Sequence, residues 1–183
     1  MTTAPAASRF SPAIVALHWG VLVLIALTYA MMELRGLAPK GIARDAMKML
    51  HYSFGLTVFA LVFVRAGLRL RHGAPPIDPP LPWHLKLAAA GAHLALYGFM
   101  LAMPLLGWAA LSAEGDPIRF FAIPVFPILP ENETLAELLE ETHETIANIG
   151  YFLIAAHAAA ALYHHYIRKD DTLARMAPFL RRR

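Results

Sequence analysis

Cysteine is absent from the 183 residues, and charge is scarce. Without thiols there is no disulfide, no thiolate-bound zinc or iron–sulfur cluster, and no covalently attached c-type haem, whose anchor is Cys-x-x-Cys-His. Any metal or haem iron must therefore be held by His, Met, Asp or Glu. Only 16% of residues are charged, 58% are hydrophobic and the mean hydropathy is +0.50. Soluble domains carry about 25% charge and about 45–50% apolar residues, so these proportions describe an integral membrane protein. The net charge of +3 and pI near 9.4 do not indicate nucleic acid, because the basic residues flank hydrophobic runs, where membrane topology explains them. No repeat of solenoid period is present, and the length suits a single domain covering 1–183.

What is present is four long apolar runs, at about 14–32, 50–68, 85–111 and 146–167. Each is long enough to cross a hydrocarbon core, which takes about 20 helical residues. Pro75, Pro76, Pro79, Pro80 and Pro82 form a stiff linker between the second and third runs, and Pro104 predicts a kink within the third. The first run is too long for a signal peptide and has no small-residue cleavage site after it, so it counts as a span. The expected fold is all-α, a four-helix transmembrane bundle.

Four spans put both termini on one side. That side would hold Arg9, Arg65, Arg69, Arg71, Lys86, Arg168, Lys169, Arg175 and Arg181 to Arg183, against Arg35, Lys40, Arg44, Lys48 and Arg119 on the other. The positive-inside rule makes the richer side cytoplasmic. The third connection agrees, with Glu114, Asp116, Glu131, Glu133, Glu137, Glu140 and Glu141 beside a single base, Arg119. Leu135, Leu138 and Leu139 recur at helical spacing behind Asn132, a good N-cap, which predicts a short amphipathic helix at the outer surface before the last span and running into it.

Ionisable groups inside spans are costly and mark function. His143 and His157 are fourteen residues apart in the last hydrophobic stretch. On an α-helix that is a rise of about 21 Å and nearly four whole turns, so the two imidazoles leave one face at two depths. Depth pairs His51 with His143 at the outer level and His18 with His157 at the inner level. Four inward histidines paired at two levels suit two non-covalent b haems, and bis-histidine ligation favours electron transfer over oxygen binding. A zinc site fits less well, since the two levels are too far apart to share one ion. His93 in the third span is an alternative to His18 or His157, or a hydrogen-bonding group within the bundle. His164 is one seven-residue step beyond His157 and His165 one further. There a histidine either contacts a quinone and passes protons or anchors at the headgroups. Lys40, Arg44 and Lys48 precede His51 in the outer first connection, where they would steer a small anion or simply balance the acidic third connection.

The same residues carry a resemblance. His18-Trp19, His51 with Gly55 four positions on, Met32-Glu33-Leu34-Arg35-Gly36, and the block from His143 through His157 to His164-His165-Tyr166 and Lys169-Asp170-Asp171-Thr172-Leu173-Ala174-Arg175-Met176 resemble the prokaryotic cytochrome b-561 family over nearly the whole chain. The resemblance is to its superoxide-oxidising members. It implies a multi-pass protein of the bacterial inner membrane, with both termini cytoplasmic, that takes electrons from superoxide at the periplasmic face and passes them through two b haems to ubiquinone. The same four-histidine arrangement recurs in the cytochrome b subunit of formate dehydrogenase. That keeps a second reading open, an electron-transfer subunit that passes electrons from a partner dehydrogenase or soluble cytochrome to quinone.

Overall fold

The computed structural model describes residues 10–180; Arg9 and Arg181 to Arg183, counted above for orientation, lie outside them. Four long helices dominate: α1 Pro12–Glu33, α2 Ile42–His72, α3 Trp83–Glu114 and α4 Glu133–Tyr163. All four are long and apolar enough to span a membrane. Helix α1 starts where the chain commits it to start. Ser11 accepts from the Ile14 amide at 3.4 Å and Pro12 occupies the first turn, where its missing N–H costs nothing. Helix α3 runs through Pro104 without interruption and ends at Gly115, whose φ of 79° is left-handed, a conformation glycine adopts freely.

Helix α1 packs on α2 and α3 on α4, with a lesser contact between α2 and α3. No pairing of similar extent closes α4 onto α1 or α2. The core is accordingly thin: Val21, Val58, Val62 and Met100 form its centre, with Leu24, Ile25, Tyr97 and Phe99 against it. Large apolar side chains such as Val23, Phe63, Leu94 and Phe152 lie exposed on the helix sides, which suits a lipid rather than a water boundary.

The amphipathic helix expected at the surface is present and, as expected, runs into the last span. Asn132 caps it, its side chain accepting from the Leu135 amide at 3.0 Å, and the helix continues unbroken from Glu133 into the last span. Between Leu139 and Ile146 the sequence holds no proline or glycine, so nothing stops it. A small hairpin, β1 Arg119–Phe120 paired antiparallel with β2 Ile123–Pro124, covers one end of the bundle. We call that the hairpin end; the first and third connections lie there. At the opposite, tail end, α4 passes into a π-helical turn, His164–Arg168, followed by a short helix α5, Thr172–Met176. The tail docks there through the Trp19 indole N–H on the Met176 carbonyl at 2.7 Å. Reciprocal hydrogen bonds of 3.1 Å each join Asp171 to Asp78 of the proline linker.

Candidate functional site

The four span histidines meet in two pairs. His51 and His143 have ring centres 6.1 Å apart at the hairpin end, and His18 and His157 are 6.2 Å apart toward the tail end. Two imidazoles that shared one iron would have their ring centres roughly 6 Å apart, from metal–nitrogen lengths of about 2.0 Å. Both pairs fit that span. The gap left by the incomplete closure of α4 onto α1 and α2 is where the pairs face each other.

The two rings at the hairpin end are placed by different contacts. Nδ1 of His51 lies 2.9 Å from the Thr28 carbonyl. A carbonyl only accepts, so Nδ1 carries the proton and Nε2 is left bare for a metal, the usual arrangement around a ligating histidine. His143 packs against Gly107, where a Cβ would come within 3.2 Å of its Cε1. Its Nδ1 is buried with no hydrogen-bond partner among the described residues. His93 reaches His157 from α3, with ring centres 5.6 Å apart, closer than a shared iron needs. Its Nδ1 is bound to the Ala89 carbonyl at 2.6 Å on its own helix. Among the described residues no three His, Asp or Glu are placed to hold one metal ion.

A cavity of about 380 Å³ surrounds the His51–His143 pair and opens at the hairpin end. Gly55, Phe99, Met103 and Gly107 line its inner part, while Glu33, Arg35, Lys48, Glu114, Glu140 and Glu144 line it nearer the connections. The three bases singled out in the sequence separate here. Lys48 lines the cavity. Arg44 binds the Ala38 and Gly36 carbonyls at 3.0 and 3.2 Å, bracing the first connection. Lys40 is exposed in a turn outside the lining. Arg35 lines the cavity with Lys48.

At the tail end His164 and His165 share the π-turn but not their surroundings. His165 stacks edge-on with Tyr166, ring centres 4.8 Å apart. His164 Nδ1 lies 2.6 Å from a carboxylate oxygen of Asp170, whose side chain is fully buried.

The prokaryotic cytochrome b561 family matches residues 9–179. The chain belongs to that family. It is 47% identical over 173 residues to cytochrome b561 homolog 1 of Escherichia coli K12, covering 93% of this chain and 98% of the relative. It is 38% identical over 171 residues to a probable superoxide oxidase of Yersinia pestis, covering 93% and 96%. It is also 33% identical over 128 residues to cytochrome b561 homolog 2 of E. coli K12, covering 69% and 68%. Cytochrome b561 family proteins bind haem b, so this is a haem-binding, multi-pass membrane electron-transfer protein.

Sequence reasoning missed three parts of the cytochrome b561 framework. Asp170 lies in the Lys169–Met176 segment, whose pattern assigns it no role. Ser53, fully buried in α2, accepts from the Phe121 amide at 2.7 Å and so ties the hairpin down. Tyr29 and Phe99 meet α4 at Gly150, between the two histidine levels. Only the last had a signal, a glycine midway between His143 and His157.

Proposed function

We propose that the protein is a membrane di-haem b oxidoreductase that oxidises superoxide to dioxygen at the periplasmic face and reduces ubiquinone to ubiquinol. In this reading one haem b lies between His51 and His143, the other between His18 and His157. The two ring separations of 6.1 and 6.2 Å are the observation that carries it. When bound, the haems supply one-electron redox chemistry and conduct between the levels.

The chain's own residues do the rest. Thr28 fixes the tautomer of His51, and ligation by two histidines would favour electron transfer over oxygen binding. Arg35 and Lys48 at the cavity attract a small anion past the carboxylates around them. The distribution of Lys and Arg supports periplasmic placement of the hairpin end and cytoplasmic placement of both termini. Similarity to a relative named as a probable superoxide oxidase supports the donor. Two superoxide anions each lose one electron to give two dioxygen molecules, and ubiquinone takes two electrons and two protons. His164 is the first candidate for contact with the quinone, His165 the second.

The test uses purified holoprotein. About two haems per chain are expected, with His143→Ala and His157→Ala each losing one, read from haem-to-protein ratio and spectrum. Superoxide should reduce the haems promptly with no partner present, and a short-chain ubiquinone should reoxidise them. Reduction only after a dehydrogenase or soluble cytochrome is added would replace this reading with that of an electron-transfer subunit.

A further inference from the structure

We propose that Asp170 is a positioning residue for proton delivery: it holds the Nδ1–H of His164, so that Nε2 is the nitrogen presented to a quinone oxygen, and the pair gives and recovers the proton. This rests on the reading that the quinone is reduced beside His164.

The geometry settles which nitrogen carries the fixed proton. Asp170 is fully buried, and its Oδ2 lies 2.6 Å from His164 Nδ1 while its Oδ1 accepts from the Thr172 amide at 3.0 Å. Burial pushes the Asp170 carboxyl up, but the hydrogen bonds from His164 and Thr172 outweigh it and hold the group below its ordinary value. The ionised carboxylate can only accept, so Nδ1 must donate. A neutral imidazole has a single N–H, which leaves Nε2 bare. Neutral His164 therefore accepts at Nε2 and cannot donate to a quinone carbonyl. It donates only when both nitrogens are protonated, and the Asp170 carboxylate compensates that charge.

The step then balances. The Nε2–H bond breaks as an O–H bond forms on the quinone oxygen, Nε2 keeps its lone pair, and a proton from water at the tail end restores it. Each ubiquinol needs this twice, with the two electrons coming from two superoxide anions. The backbone is shaped for the contact. The π-turn and Lys169, at φ 59°, fold the chain back so that the Asp170 amide meets the His164 carbonyl at 3.1 Å. Such π-turns are frequent at functional positions. The other charged groups around the pair are Arg168, whose Nε is 3.3 Å from the same Oδ2, and Arg175 of α5, within electrostatic range of Asp170. Asp171 is engaged by the Asp78 amide of the linker. The Tyr163 ring stands 6.0 Å from the imidazole.

Asp170→Asn separates this role from a structural one, because its carbonyl can still accept from Thr172 while its amide nitrogen cannot accept from His164. The experiment takes full-length holoprotein in lipid nanodiscs, with both haems present, and follows reoxidation of the reduced haems by ubiquinone-1 from pH 5.5 to 8.5. In Asp170→Asn the ratio of the rate at pH 5.5 to that at pH 8 should rise about tenfold over wild type, below the usual range for losing a general acid because the imidazole remains. Asp170→Glu should restore the profile. Nitrogen NMR of histidine-labelled wild type should show the Nδ1–H tautomer for neutral His164. An Nε2–H tautomer, or equal slowing at every pH in Asp170→Asn, overturns the proposal. Wild-type rates in His164→Gln also overturn it, leaving a structural dyad. Failure of ubiquinone-1 to reoxidise wild-type haems at any pH would instead remove the functional reading beneath it.

Discussion

Gly150 stands seven residues from His143 and seven from His157, at the waist between the two imidazole levels. A Cβ there would lie 2.5 Å from the Phe99 ring and 2.5 Å from the Tyr29 hydroxyl. Tyr29 also donates to the Ala147 carbonyl at 2.7 Å, one turn earlier on α4. Two aromatic rings are thus fitted against a bare stretch of backbone, and they fix the rotation of α4 that points both histidines at their partners. Gly150→Val should lower stability by about 1–3 kcal/mol through overpacking, read as an earlier thermal release of haem. Gly67→Ala is the counterpart: nothing lies within 4 Å of its Cβ position. That substitution should be neutral or gain roughly 0.5–1 kcal/mol of helix preference. The histidine pairs were legible in the sequence because helical periodicity turns a spacing of fourteen into a direction. Asp170 was not, because its contact depends on a π-turn and a left-handed lysine that no apolar pattern announces.

Among the elements, the helices were readable and the hairpin was not. Long apolar runs, the Asn132 cap and the proline linker located four helices to within a few turns. The largest difference is an extension beyond the apolar core: α2 begins at Ile42, since nothing from there to Leu50 is proline or glycine. Two-residue strands carry no alternation to read. What makes the hairpin is a tertiary contact, the Phe121 amide on Ser53 Oγ, with the Phe121 and Phe54 rings 6.3 Å apart. Phe121 takes a φ of 53°, uncommon for a bulky residue and sustained by those contacts. Ser53→Ala removes the acceptor of the Phe121 amide, a hydrogen bond worth about 0.5–1.5 kcal/mol. Its expected signature is local: faster proteolysis between Arg119 and Pro124, with both haems retained. Loss of haem together with hairpin protection would show that Ser53 supports the bundle instead.

The whole molecule is a thin-cored bundle whose apolar sides face lipid and whose two ends differ in charge. That difference supports the proposed orientation, and the orientation decides whether Arg35 and Lys48 can meet periplasmic superoxide at all. The missing cysteines make this directly measurable, since a single introduced thiol has no background. Leu37, in the first connection, is 84% exposed, and Leu70, near the tail end of α2, is 87% exposed, so replacing either should change stability by no more than about 0.5 kcal/mol. In spheroplasts a membrane-impermeant maleimide should label Leu37→Cys at once and Leu70→Cys only after lysis. The reverse pattern would place the His51–His143 pair on the cytoplasmic side, put its cavity out of reach of periplasmic superoxide, and move the His164–Asp170 pair to the wrong side for protons drawn from the cytoplasm.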